Sequence, residues 1–189
     1  MKSLFERISQ NNSLQKLGEL FLSKDSGNIL LRGLVGSTKA FAVASAFASS
    51  KETICVVMPD RETASYFYDD LVSILDDESV MFYPSAFKRS VEFLKENKSN
   101  IVLQTEVLTR ISTTKKAFII VSYPEAIIEK VVKTKELTKN TINLGVDEEM
   151  SMEMLVEMLN DWNFSHEDFV FEPGSYAVRG SLIDVFSYG

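Results

Sequence analysis

Short apolar runs alternate with amphipathic helical patterns along the first two thirds of this chain, and no other feature constrains its fold as strongly. Strands are predicted at residues 28–31, 53–58, 80–83 and 117–121, each of which is rich in apolar side chains. Runs that are apolar on both faces are typical of strands in a parallel sheet covered by helices. The alternation therefore predicts an α/β domain built on a parallel sheet.

Helical patterns fill the segments between these strands, and five helices are predicted. Asp60 is a good N-cap for the third helix, and Pro124 suits the first turn of the fifth. Residues 87–90 indicate a loop or a short helix. The apolar faces of the five helices are formed, in order, by Leu14, Leu17, Leu20 and Phe21; by residues 41–48; by Ala64, Phe67, Tyr68, Leu71, Ile74 and Leu75; by Val107, Leu108 and Ile111; and by Ile127, Ile128 and Val131.

Beyond about residue 135 the pattern changes to a strand, one helix and a strand-rich tail. Residues 133–140 form a mostly polar connector, so we predict an α/β domain over residues 1–135 and a small α+β domain over residues 136–189. Ser151 is a plausible cap for the helix of the second domain, and the core face of that helix is formed by Leu155, Val156 and Leu159.

The tail of the second domain contains a tight turn at residues 172–175, followed by a predicted strand over residues 176–186. Side chains alternate between the two faces of a strand. If residues 176–186 are one strand, Val178, Leu182 and Phe186 share the core face, and the outward face carries Arg179, Ser181, Ile183 and Val185.

The charge of the chain argues against direct binding of nucleic acid. Its 20 basic and 27 acidic residues give a formal net charge of −7, which repels phosphate unless basic residues are concentrated locally. Lys115, Lys116 and the lysines between residues 130 and 139 are mixed with acids or flank turns. They indicate a solvated surface.

Metal and thiol chemistry have few residues to draw on. Cys55 is the only cysteine, and its place in the apolar run 53–58 predicts a small buried residue of a strand. His166 is the only histidine, so common zinc ligand sets and Cys/His nucleophile pairs are improbable. No stretch approaches the roughly 20 apolar residues that span a bilayer, and no secretory signal is evident, so we expect a cytoplasmic protein without a membrane partner.

Residues 33–40, with the sequence GLVGSTKA, stand where a phosphate-binding P-loop would stand, after a predicted strand and at the start of a helix. A working P-loop has glycine before its lysine and a hydroxyl residue after it to hold magnesium. Here Thr38 and Ala40 flank the lysine. The positions that remain are Gly33, Gly36, Ser37 and Lys39.

A helix N-terminus with a lysine still attracts anions, so residual nucleotide binding at Lys39 stays open. Hydrolysis also needs a metal-binding acid after an apolar strand. Residues 147–149 are acidic, but Gly145 interrupts the strand before them and they precede a helix, where negative charge is structurally favourable. We therefore interpret the loop as a structural relic and expect no catalytic residues in this chain.

Two segments resemble a known family. Residues 33–40 are similar to the GVTGSGKT loop of UvrB with its catalytic positions lost, and that loss resembles the bacterial transcription-repair coupling factors. Residues 172–186, with the sequence EPGSYAVRGSLIDVF, look like the E-x-G-x-[YF]-x-x-R-G segment of the same family. The similarity extends from about residue 14 to the end. It implies a degenerate P-loop-like domain similar to UvrB domain 1A, followed by the start of a domain similar to UvrB domain 2.

The resemblance implies that the chain is a non-catalytic fragment with UvrA as its partner. RNA polymerase and DNA would be partners of the longer parent, an ATP-dependent DNA translocase. ATP and magnesium would belong to the motor of that parent, so no cofactor is expected in this fragment. The resemblance also implies further strands of the second domain after Gly189.

The resemblance also indicates UvrA-binding residues. Arg179 matches the arginine of the family's R-G pair, whereas His166 and Ala177 fall where UvrB has arginines. Ile183 lies beside Arg179 on the predicted outward face, and arginine beside aliphatic residues suits a protein interface. Taken without the resemblance, Arg179 more often forms an ion pair within its own domain, and His166 is more simply a partly exposed turn residue.

Three functions are therefore compared. The first is recruitment of UvrA to lesions marked by stalled RNA polymerase in nucleotide excision repair. The second is a nucleotide-binding fragment of an ATP-dependent DNA helicase, with Lys39 on a phosphate. The third is binding of damaged DNA by a long aromatic hairpin as in UvrB, for which the ~20 residues between Val80 and Ile101 leave too little room.

Overall fold

The computed structural model describes residues 2–23, 27–76, 78–89, 94–131, 141–142 and 144–188. The chain divides into two compact units, one made of Met1–Pro84 and Thr114–Ile128 and the other of Ser85–Thr113 and Glu129–Gly189. The boundary predicted near residue 135 and its connector fall in residues 132–140, outside the described part of the chain.

The first unit contains five helices and three strands among its described residues. The helices are α1 (Lys2–Ser9), α2 (Asn12–Leu22), α3 (Thr38–Ser50), α4 (Arg61–Ile74) and the single turn that we number α6 (Pro124–Ile127). The strands are β1 (Ile54–Val57), β2 (Val80–Phe82) and β5 (Ile119–Ser122).

The strands of the first unit form a parallel sheet with the order β1-β5-β2. The central strand β5 carries Ile119 and Val121, both fully buried, because it has a neighbour on each side. Helix α4 packs against β2, β5 and α3, while α2 packs against α3. This arrangement confirms the predicted α/β class with a parallel sheet and the predicted helices α2, α3 and α4.

The strand predicted at residues 28–31 is wrong, because the structure describes these residues without strand pairing. Ile29, Leu30 and Leu31 are all exposed, Leu30 to 73%. Leu31 instead lines a small apolar cavity of about 60 Å³ together with Phe21 of α2 and residues of α3 and β1. An apolar run indicates that its side chains favour apolar contacts, but it does not show whether its backbone pairs with another strand.

The predicted burial of Cys55 is also wrong, since its side chain is exposed. Strand β1 pairs with β5 and lies at the edge of the described sheet, and burial alternates along it. Ile54 and Val56 are half-buried, while Cys55 and Val57 point outward. Neighbouring atoms still desolvate the thiol enough to raise the pKa of Cys55 above its ordinary value.

The second unit holds helix α5 (Lys98–Thr113), helix α7 (Met152–Asp161) and two sheets among its described residues. Strands β3 (Phe87–Arg89) and β4 (Leu94–Glu96) pair as an antiparallel ladder. The expectation of a loop or short helix at residues 87–90 was therefore wrong for residues 87–89. The ladder joins residues five to nine positions apart in sequence, which a local pattern does not register.

The helix predicted from Pro124 through Val131 is a single turn, and Ile128 is 81% exposed beyond it. The chain turns away because Glu129 is held elsewhere. Its carboxylate accepts hydrogen bonds from the Ser85 hydroxyl, from the backbone N–H of Ala86 at 3.0 Å and from Nε2 of Gln104 at 3.0 Å. These tertiary bonds override a continuous helical pattern.

The second sheet of this unit has the order β6-β7-β8, formed by β6 (Ser165–His166), β7 (Ser175–Arg179) and β8 (Leu182–Phe186). Strand β6 is parallel to β7, and β7 is antiparallel to β8. The predicted cap of α7 is confirmed, because the Ser151 hydroxyl accepts a hydrogen bond from the N–H of Met154. Leu159 of this helix is buried, and Leu155 and Val156 are half-buried. In the described part of the chain, no helix is long and apolar enough to cross a membrane.

Candidate protein-interaction site

Residues 176–186 form a hairpin, so the prediction of one strand was wrong. Strands β7 and β8 are joined at Gly180 and Ser181, and Gly180 adopts a φ of +63° that favours glycine. Arg179 is the cross-strand partner of Leu182, and Val178 is the partner of Ile183.

The hairpin changes which side chains share a face. Cross-strand partners lie on the same face of an antiparallel pair. Arg179, Leu182 and Asp184 therefore lie on one face, and Val178, Ile183 and Val185 lie on the other. The predicted grouping of Arg179 with Ile183 was wrong, because a two-residue turn reverses the chain and resets the alternation that one strand would have continued.

The side chain of Arg179 is half-exposed and engaged within its own unit. Its Nη2 pairs with a carboxylate oxygen of Asp184, and its Cζ lies 5.6 Å from the centre of the Phe169 ring. The ion pair is the simpler of the two readings that the sequence allowed. The Arg179 side chain nevertheless keeps half of its surface in solvent, so further contacts remain open to it.

Two phenylalanines that the sequence did not single out lie near the hairpin, Phe169 next to Arg179 and Phe171 next to Phe169. Phe169 is 59% exposed and Phe171 is 81% exposed, and their ring centres are 6.3 Å apart. Leu182, across the strand pair from Arg179, is 54% exposed. We call the four residues Phe169, Phe171, Arg179 and Leu182 the Phe169 patch. The available signal was two aromatics one residue apart in an otherwise acidic stretch, EDFVFE.

His166 lies on the other face of this sheet. It pairs with Tyr176 across β6 and β7, and the two rings stack with their centres 5.0 Å apart. The Tyr176 hydroxyl donates to Oδ1 of Asn160 on α7 at 2.9 Å. The His166 side chain is exposed, within a short strand and not in the turn that we considered.

The predicted contact residues therefore divide between two faces. Arg179 lies on one, while His166 and the half-buried Ile183 lie on the other. Ala177 is 1% exposed, so its side chain is not available on the surface.

Comparison with known proteins identifies this part of the chain. Residues 142–189 match the family model of the UvrB interaction domain. Over 187 residues, 98% of this chain, the sequence is 25% identical to the transcription-repair-coupling factor of Staphylococcus aureus strain bovine RF122 / ET3-1. It is 27% identical over 158 residues, 83% of this chain, to the transcription-repair-coupling factor of Bacillus subtilis strain 168. The chain is similar to these transcription-repair-coupling factors over most of its length. It spans 16% of the length of the first relative and 13% of the second.

The loop that resembles a P-loop is closed by its own hydrogen bonds. Thr38, which stands where a P-loop has glycine, donates its hydroxyl to the carbonyl of Val35 at 2.6 Å and its N–H to the same carbonyl at 3.2 Å. Gly33 and Gly36 have positive φ values, as a tight loop requires. Ser37 is the N-cap of α3 without a side-chain bond, and Lys39 is exposed.

The acids at residues 147–149 form a local turn. Asp147 has a φ of +70°, and the Glu148 carboxylate accepts the N–H of Gly145 at 2.9 Å. Within the described residues, no group of three or more His, Cys, Asp or Glu side chains is arranged to hold a metal ion.

Proposed function

We propose that this chain is a non-catalytic module that recruits UvrA in transcription-coupled nucleotide excision repair. The observation that carries the proposal is the UvrB interaction domain over residues 142–189, which folds as the β6-β7-β8 sheet with α7 against it. The relatedness to transcription-repair coupling factors across 98% of the chain supports the same function.

The turn end of the β7–β8 hairpin is the proposed contact surface. Arg179 keeps half of its side chain in solvent there and lies over an exposed aromatic ring. Arginine suits such a position because its planar guanidinium pairs with carboxylates while its stem covers apolar surface. His166 and Ile183 lie on the face opposite to Arg179. They would contact UvrA only if UvrA extends around the hairpin to that face.

The first unit acts, in this proposal, as a scaffold without turnover. Thr38 closes the degenerate loop on Val35, and Ala40 supplies no hydroxyl to hold magnesium. ATP and magnesium, RNA polymerase and DNA are proposed as ligands and partners of a longer parent that translocates on DNA in the cytoplasm.

The test is a calorimetric titration of the purified chain with UvrA, in parallel with the Arg179→Ala variant. We expect submicromolar binding by the wild type and a loss of ~1 kcal/mol or more in the variant, as is usual for an interface anchor. Arg32→Ala removes an exposed arginine of the first unit and is the matched control. A folded wild-type chain that does not bind UvrA would contradict the proposal.

A nucleotide-binding fragment is the second candidate, favoured by one observation. The loop between Gly33 and Gly36 keeps the positive φ values of a tight turn at the start of α3, where Lys39 is exposed. Titration with ATP and magnesium separates the two candidates, since recruitment predicts no saturable heat. Saturable ATP binding that Lys39→Ala abolishes would favour the nucleotide site.

A further inference from the structure

We propose that the Phe169 patch is an apolar anchor inside an acidic surface, and that the surface it binds on UvrA supplies the positive charges. This inference rests on the proposed function and adds the chemistry of the contact. Arg179 keeps the contact proposed above, and the acids around the patch add contacts of the opposite polarity.

The apolar part of the patch consists of large, exposed side chains. Phe169, Phe171 and Leu182 each expose more than half of their surface. The rings of Phe169 and Phe171 are neighbours, and Arg179 links Phe169 to the hairpin. Aromatic residues beside an arginine are enriched in the buried centres of protein interfaces, where they bring much contact area with few rotatable bonds.

The C-terminal segment that carries the patch is strongly acidic. Residues 141–189 contain ten acidic residues and one basic residue, Arg179. The single cation, Arg179, is already paired with Asp184. Glu167 and Asp168 are both exposed and directly precede Phe169 in the chain. Lys98 of α5 pairs with Glu172 at 3.1 Å and so neutralises one further acid from outside this segment.

These observations give the patch a net negative surrounding. A partner surface that is acidic would be repelled, while a basic one would be steered toward the exposed rings. The occupant that fits is therefore a surface with an apolar recess and lysine or arginine residues at its rim. In this arrangement Arg179 orients Phe169 and shields Asp184, and the partner's cations pair with Glu167 and Asp168.

The test measures the affinity of the chain for UvrA by calorimetry at two salt concentrations, about 50 and about 300 mM. The Phe169→Ala/Phe171→Ala variant removes the anchor, and Tyr66→Ala on α4, an equally exposed aromatic of the first unit, is its control. Asp168→Lys reverses a charge beside the patch, and Asp69→Lys reverses an exposed charge on α4. Thermal melts of each variant check that it is folded.

We expect the double phenylalanine variant to bind about tenfold or more weakly, while Tyr66→Ala stays near wild type. Asp168→Lys should weaken binding several-fold at low salt and less at high salt, and Asp69→Lys should have a smaller effect. Wild-type affinity should fall as salt rises.

Two results would overturn the inference while recruitment stands: wild-type binding that is unaffected by loss of the two rings, or tighter binding by Asp168→Lys. Analytical ultracentrifugation tests a different occupant. If the wild type self-associates and the double variant does not, the Phe169 patch binds a second copy of the chain and not UvrA. Absence of any wild-type binding would instead overturn recruitment, and the inference with it.

Discussion

At the scale of single residues, both the backbone conformation at position 174 and the neighbouring side chain of Tyr188 favour glycine there. Gly174 has a φ of +75°, and an added Cβ would clash with the hydroxyl group of Tyr188, whose ring packs edge-on against Phe164. Gly174→Ala should therefore lower the free energy of unfolding by about 1–3 kcal/mol, from backbone strain plus displacement of Tyr188. Urea unfolding followed by circular dichroism measures this change.

Gly180→Ala is the matched control for this substitution. Gly180 has a similar φ of +63° but open space where a Cβ would lie. Its variant should show the backbone cost alone. Equal losses of stability in the two variants would mean that the Tyr188 side chain is displaced without an energetic cost.

A second prediction at this scale concerns Asp60, whose contribution to stability depends on pH. Its carboxylate accepts the backbone N–H of Thr63 at 2.8 Å and the hydroxyl of Thr63 at 2.9 Å, and these bonds lower its pKa below the ordinary value. A lowered folded-state pKa means that the stabilisation is complete above the unfolded-state pKa of about 3.9 and is lost as pH falls through the folded value.

The Asp60→Ala variant should therefore melt at a lower temperature than the wild type at pH 7, and the gap should narrow below about pH 4. Thermal melts over a pH series measure the gap. Asp69→Ala, an exposed change on the same helix, should show no comparable narrowing. A gap that stays constant into strong acid would contradict the role of the charged cap.

At the scale of secondary-structure elements, the α2–α3 pair is packed through its smallest residue. A Cβ on Gly18 would lie 2.5 Å from Oγ and 2.7 Å from Cβ of Ser49, so α2 and α3 approach closely at this point. Gly18→Ala should gain about 1 kcal/mol of helix propensity but lose more to overpacking, for a net loss of stability. Thermal denaturation measures the sign.

Exchange of the two small residues tests the cause of that loss. Ser49→Gly removes both atoms that an alanine at position 18 would meet. The double variant Gly18→Ala/Ser49→Gly should thus be more stable than the sum of the two single changes predicts. If the effects of the two single changes are strictly additive, the loss of stability in Gly18→Ala arises outside the contact between residues 18 and 49.

At the scale of the whole molecule, the class of fold and several caps were predictable, whereas the surface of the site was not. The alternation of apolar runs predicted the parallel sheet, and local bonds at Asp60 and Ser151 were legible from residue type alone. The motif over residues 172–186, which contains Arg179, pointed to the hairpin that carries part of the Phe169 patch. Neither the turn at Gly180 nor the exposure of Phe169 followed from the pattern.

The sequence by itself determined features that depend on neighbours a few residues away: helix caps, the period of apolar residues, and the excess of acids around Arg179. Only the tertiary structure decided features that depend on distant partners. Residues 28–31 lack a ladder, Glu129 ends a helix to reach Ser85, and a two-residue turn puts Arg179 and Ile183 on opposite faces of the sheet. The physical reason is that pattern and capping act within one or two turns of chain, whereas strand pairing and burial require groups that the fold brings together.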